Sequence, residues 1–280
     1  MIGKQTTTLF HRLVFAIGCL MVPLGATAES IRATVVAADP AANTLTLEDD
    51  QVVRVTTGDA RIGYVGREII GELDAATEPA TLYGIWPNDA VDRKVARDVN
   101  RKLNDDTITL GRKAFRSLGD YIPDFALYDQ EGNLVRKATL KGKNVVFNFI
   151  FTRCEMPNMC PASTARMMML QKMIDKEGLR DAQIVTITFD PEYDTPGILN
   201  EYARQRGAHF KNMRLLTGNP TAIDNLMKQF GILTIEEDGT INHTMATVLI
   251  DKFGKVVYRK EGSIWSPYEF FDKLKEREEN

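Results

Sequence analysis

Cysteine and histidine are scarce in this chain, with three of each in 280 residues. Three cysteines are too few for a disulfide scaffold and too few for a zinc site made of cysteine alone. There is no HExxH pair and no glycine-rich phosphate loop, so the best-marked metalloprotease and nucleotide-binding chemistries are missing. Long basic runs are missing too. The formal net charge is −3, which gives no electrostatic reason for nucleic acid as a partner. No internal repeat or low-complexity segment stands out. What is there is an ordinary globular composition, 44% hydrophobic and 26% charged, long enough for one large or two small domains.

The N-terminus reads as an export signal. Lys4 and Arg12 form a positive start, Leu13–Leu24 is a mostly apolar run of 12, and Ala26-Thr27-Ala28 precedes Glu29 with small residues. Twelve residues are short for a membrane span, which needs about 20. Two rival readings keep the chain on the membrane: an uncleaved anchor, or lipidation at Cys19. Cleavage after Ala28 removes two positive charges and no acid, moving the charge from −3 by two, to −5. It leaves two cysteines, Cys154 and Cys160, and two histidines, His209 and His243. One close pair of cysteines in an exported protein is either a disulfide or a metal or redox site.

Ser30–Pro87 reads as a small all-β, barrel-like domain. Leu45 and Leu47 alternate with Thr44, Thr46 and Glu48, and Val53 and Val55 continue the alternation after Asp49-Asp50. Ile69, Ile70, Leu82 and Ile85 mark further strands. Asp89–Leu103 reads as a connecting helix with one narrow stripe, Val91, Val95, Val99 and Leu103. From about Tyr121 strands alternate with helices, which predicts a mixed-sheet α/β domain. Val145–Phe151 is an apolar and aromatic run broken only by Asn148, as in a strand buried on both faces. The chain should end in a hairpin around Asp251-Lys252-Phe253-Gly254 and a helix from Pro267 to Lys275.

Chemistry concentrates at Thr152-Arg153-Cys154-Glu155-Met156-Pro157-Asn158-Met159-Cys160-Pro161, between the buried strand and the next helix. Pro161 suits a first helical turn, and a helix N-terminus favours thiolate. Thiolates are nucleophiles of disulfide exchange and soft ligands that select Cu(I). A structural disulfide is the plain alternative.

At these residues the sequence resembles the Sco/SenC family, thioredoxin-like copper proteins of cytochrome c oxidase assembly. The resemblance runs from about Tyr121 to Lys275. It rests on Pro123-Asp124-Phe125, Lys141-Gly142-Lys143, Phe151-Thr152 before Cys154, and Cys160-Pro161. It continues through Phe189-Asp190-Pro191-Glu192, Asp194-Thr195-Pro196, Leu216-Thr217-Gly218, Phe230-Gly231 and His243-Thr244. It implies copper as the cofactor, with Cys154, Cys160 and His243 as ligands. With the N-terminal readings above, the expected division is a signal peptide over 1–28, a β domain over 30–87, a helical linker over 88–118 and a thioredoxin-like domain over 119–280, only the last of which the resemblance covers. Two departures stand out. The family usually has three residues between its cysteines, and here there are five, so the segment must loop out. Tyr193 stands where the family commonly has Arg.

Other residues divide between site and scaffold. Met156 and Met159 are candidate auxiliary thioether ligands, or gap fillers. Asp190 and Asp194 shape the turn near the cysteines, with an electrostatic effect on the site as the second reading. Met167, Met168, Met169 and Met173 are expected in the core, His209 on the surface, and Trp86 in a core or hinge. Glu29–Phe115 has no Met, His or Cys, so although the barrel resembles periplasmic copper binders, a soft copper site cannot be built there. A docking or scaffolding role is expected for it. The functional expectation is an exported, periplasmic copper-binding accessory protein that hands copper to a partner such as an oxidase subunit. The alternative is a thiol–disulfide oxidoreductase with Cys154 and Cys160 as its catalytic pair. Thr152 and Arg153 beside Cys154 also bring peroxidases to mind as the nearest other enzymes.

Overall fold

The computed structural model describes residues 28–111, 115–232, 234–237, 240–262 and 264–278, the two short stretches 234–237 and 240–243 by their backbone. The proposed export signal, with Cys19 and Leu13–Leu24, lies outside the described residues.

Five strands close into a barrel: β1 (Glu29–Asp39), β2 (Thr44–Leu47), β3 (Val52–Arg54), β4 (Glu68–Asp74) and β5 (Thr81–Pro87). Their order is β1-β2-β3-β5-β4, with β4 paired back onto β1 and only β3 and β5 parallel. A short helix, α1 (Thr57–Ile62), joins β3 to β4. This order, with its helix, is that of an OB-type Greek-key barrel. The alternating positions point inward: Val35, Leu45, Val53, Leu82 and Ile85 are fully buried. Thr56 caps α1 by accepting the Asp59 N–H on its hydroxyl.

Helix α2 (Ala90–Leu110) follows, capped by Asp89, which accepts the N–H groups of Val91 and Asp92. It runs seven residues past the predicted end at Leu103. The predicted stripe needs correction. Leu103 is buried, but Val91 is 70% exposed, and Val95 and Val99 are half-buried. The helix packs on the second domain at its C-terminal half, so its first turn has nothing to bury against.

The second domain is a seven-stranded mixed sheet of order β14-β13-β8-β9-β10-β6-β7. It contains β6 (Ala126–Asp129), β7 (Leu134–Arg136), β8 (Asn144–Ile150), α3 (Cys160–Glu177), β9 (Ala182–Thr188), α4 (Pro196–Gln205), β10 (Met213–Thr217) and α5 (Pro220–Gln229). A separate hairpin, β11 (Thr234–Glu237) and β12 (Thr240–His243), precedes β13 (Ala246–Ile250), β14 (Val256–Glu261) and α6 (Pro267–Glu278). Strands β8, β9 and β10 run parallel, and all seven residues of β8 are buried. That burial is why its sequence is apolar apart from Asn144 and Asn148, the second of which donates to the Ser163 hydroxyl and accepts from the Thr186 hydroxyl. Met167, Leu170 and Ile174 bury one face of α3; Met169, expected in the core, is 39% exposed because it falls on the opposite face.

The two domains touch through α1 and α4. A Cβ on Gly58 would lie 1.8 Å from the Gly197 carbonyl oxygen, and one on Gly197 would lie 2.1 Å from Asp59 Oδ1. Only glycine admits this approach. Arg67 donates to the carbonyls of Glu131 and Gly132, and Trp86, half-buried, sits edge-on to Tyr128 with centroids 6.3 Å apart.

Candidate functional site

Strand β8 delivers the chain into the cysteine loop. Its neighbour β9 is parallel, so the turn carrying Asp190 and Asp194 emerges at the same end of the sheet. On the other side β13 is antiparallel, with Val248 opposite Phe147. The chain entering β13 therefore comes from that same end, and His243, the last residue of β12, lies just before it. The His243 side chain lies outside the described residues.

Helix α3 starts only at Cys160, with Pro161 in its first turn. Between the cysteines the chain loops out, with the Met159 N–H donating to the Met156 carbonyl at 3.0 Å. The loop brings the two sulfurs together: both are free thiols, and a side-chain hydrogen bond joins Cys160 to Cys154. Cys154 is half-buried and Cys160 is fully buried. Burial pushes the Cys160 thiol pKa up, against a backbone hydrogen bond at Phe151 that lowers it; the neighbouring Cys154 adds to the rise. The helix-end argument for thiolate therefore loses at Cys160, because desolvation is the larger effect.

Both aspartates act on the segment that leads into Cys154. Asp194, fully buried, accepts the Thr152 backbone N–H at 3.1 Å, the Thr152 hydroxyl and the Thr188 hydroxyl. Burial raises its pKa, opposed by these hydrogen bonds. Asp190 accepts Arg153 Nε at 3.0 Å and Nη2 at 2.6 Å. The Arg153 guanidinium also lies 4.3 Å from the centroid of the Tyr193 ring. So the position where a family arginine was expected holds the aromatic platform, and the guanidinium comes from the cysteine loop. Sequence reasoning noticed Thr152 and Arg153 but not these partners. The available clue was an arginine before the first cysteine and acids after the next strand. Met156 is 50% exposed in the loop, and Met159 is half-buried just before α3. His209 is exposed, with Nε2 2.7 Å from Asp175. Among the described residues no three His, Cys, Asp or Glu side chains converge as a metal site.

A mixed α/β domain with a dithiol at the junction of a buried strand and a helix defines the thioredoxin-like class. The SCO1/SenC family model matches residues 114–277, and the chain belongs to that family. The SCO1 protein homolog of Bacillus subtilis is 32% identical over 152 residues, 53% of this chain and 77% of that protein. A Stutzerimonas stutzeri protein that carries a copper-binding name is 31% identical over 140 residues, 48% of this chain and 66% of its own. Among solved structures, a SCO1/SenC family lipoprotein from Bacillus anthracis is 33% identical, with a TM-score of 0.53 over 59% of this chain and 99% of its own. BsSco is described with a disulfide switch and as a member of the Sco family of cytochrome c oxidase assembly proteins. It is 30% identical, with a TM-score of 0.52 over 57% of this chain and 95% of its own. The barrel lies outside the matched residues.

Proposed function

We propose that this chain is an exported copper-binding accessory protein that delivers copper to a partner, such as a cytochrome c oxidase subunit. The observation that carries this reading is the meeting of Cys154 and Cys160 at the end of β8, the same end from which the chain at His243 enters β13. Two thiolates and an imidazole form a soft donor set suited to Cu(I). Binding releases the thiol protons, and delivery returns the dithiol. Asp194 and Asp190 hold the loop through Thr152 and Arg153, and exposed Met156 is placed to meet copper as it enters or leaves. The copper-binding name of the Stutzerimonas relative and the oxidase-assembly description of BsSco support the reading. The lipoprotein from Bacillus anthracis supports anchoring at a membrane surface outside the cytoplasm. Among the described residues no helix is long and apolar enough to cross a membrane. The division into signal, barrel, linker helix and Sco domain belongs to this proposal, with the barrel as a docking module.

The test is an anaerobic Cu(I) titration against a competing chelator. The reduced chain should hold about one Cu(I), lost in Cys154→Ser, Cys160→Ser and His243→Ala and in the oxidised disulfide form. A pure reduced chain that retains no copper overturns the reading.

The disulfide switch described for BsSco favours a second reading, thiol–disulfide exchange. Cys154, the more accessible sulfur, would attack a partner disulfide. Cys160 would then displace the partner's sulfur, leaving the partner as a dithiol and this chain as a disulfide. Exchange that survives His243→Ala intact, without copper retention, selects this alternative.

A further inference from the structure

Strand β8 is buried along its whole length, yet its middle holds an amide. Asn148 is fully buried, where leucine would fill a similar space without needing partners. Its partners are specific. Asn148 Oδ1 accepts the Thr186 hydroxyl at 2.6 Å, and Nδ2 donates to the Ser163 hydroxyl at 3.2 Å. Thr186 is its register partner on β9, so those two side chains share one face of the sheet. Ser163 comes from outside the sheet. It is buried in the first turn of α3, one helical turn after Cys160.

Among the described residues no side chain caps α3. Met159 stands at the cap position, and its carbonyl accepts the Ser163 N–H at 2.9 Å. Helix ends fray, most readily where no side chain caps them. Here the first turn is pinned from the side instead. Ser163 ties it to β8. Thr164, also buried, shares a 2.8 Å hydrogen bond with the Tyr202 hydroxyl on α4. Adjacent helical residues point about 100° apart, so the two bonds hold the turn in different directions. Cys160 heads this turn, and its thiol meets the Phe151 backbone and Cys154. Any rotation or slide of the turn carries the Cys160 sulfur away from that meeting.

We infer that Asn148 is a positioning residue for the dithiol: through Ser163 it sets where Cys160 lies against Cys154. The inference rests on the copper reading for what the dithiol does, but the placement of the sulfurs can be read without copper. A network that served stability alone would be replaceable. Exchanging all members of a buried hydrogen-bonded set for apolar groups of the same shape is close to neutral for stability. It still removes the directional hold on the turn.

The test is the equilibrium of the full metal-free chain with glutathione buffers, scoring dithiol and disulfide on the peptides of Cys154 and Cys160. The variants are Ser163→Ala and the triple Asn148→Leu/Ser163→Ala/Thr186→Val. A looser turn lowers the effective concentration of one thiol at the other. The ratio of disulfide to dithiol should fall about tenfold in both variants, equivalent to a rise of about 30 mV in potential. The triple variant should melt close to wild type. Cu(I) affinity, read by chelator competition, should fall about tenfold in the same variants. A wild-type chain that binds no copper, beside variants whose disulfide ratio still shifts, sinks the copper reading and keeps this one. A wild-type ratio in Ser163→Ala or in the triple variant overturns the inference. An equal shift in Leu45→Ala, a change in the barrel core, assigns the effect to stability and overturns it as well.

Discussion

Asp194 grips Thr152 twice, one carboxylate oxygen on its backbone N–H and the other on its hydroxyl. That double grip fixes the chain two residues before Cys154. Asp194→Ala removes it and leaves Thr188 without its acceptor. Groups that orient ligands in this way typically carry about 10- to 100-fold in metal affinity. A loss of about tenfold in Cu(I) affinity is expected, read by chelator competition, with both cysteines still countable as free thiols. Unchanged affinity would mean that Asp194 serves the fold alone.

The two sulfurs differ in access. Cys154 is half-buried and Cys160 fully buried. Under limiting iodoacetamide, Cys154 should be alkylated first, with Cys160 following only after unfolding or loop opening. Peptide mass mapping over time checks this, and equal rates would contradict the packing described for α3.

Asp59 makes stability depend on pH. Its carboxyl is buried between the Thr56 and Tyr64 hydroxyls, and burial raises its pKa from 3.8 to about 6. A raised carboxyl pKa means that the folded state binds the proton more tightly than the unfolded one. Its contribution is therefore most favourable below the unfolded value and declines as pH rises toward about 6, then stays level. A shift of this size corresponds to about 3 kcal/mol. Urea unfolding from about pH 4 to about pH 7 should show the decline, and Asp59→Asn should flatten it. A slope unaffected by Asp59→Asn would assign it to other groups.

Gly197→Ala should uncouple the domains, because its Cβ would overlap the Asp59 carboxylate. Overpacking of this kind costs about 1–3 kcal/mol or is relieved by separation. Lower melting temperature together with faster proteolysis between barrel and sheet is the expected result. A variant with wild-type melting and proteolysis would show that α1 and α4 can shift apart freely.

The parts legible in the sequence were those whose pattern is local. The apolar run of β8, Pro161 at the start of α3 and the turn around Gly254 each announce themselves within a few residues. Helix α1 does not: six residues containing Gly58 show no period, and the surface it packs on belongs to α4. The β11–β12 hairpin is too short to show an alternation. In α2 the stripe was real in spacing but not in burial, since periodicity does not say how far a neighbour extends. At the site, the cysteine pair could be read from the strand–loop–helix setting. The Arg153–Asp190–Tyr193 cluster could not, because its members meet only when β8 and β9 lie side by side.

The Gly58–Gly197 contact also has a consequence for recognition. Helix α4 begins directly after the turn that carries Asp194, so the barrel is seated within one helical turn of the segment that steadies the cysteine loop. Under the docking role proposed for the barrel, a protein that grips it would meet the sulfurs at a set bearing and reach. The two backbones in contact would then act as a gauge, admitting partners whose acceptor groups lie at the matching offset and turning away those whose groups do not.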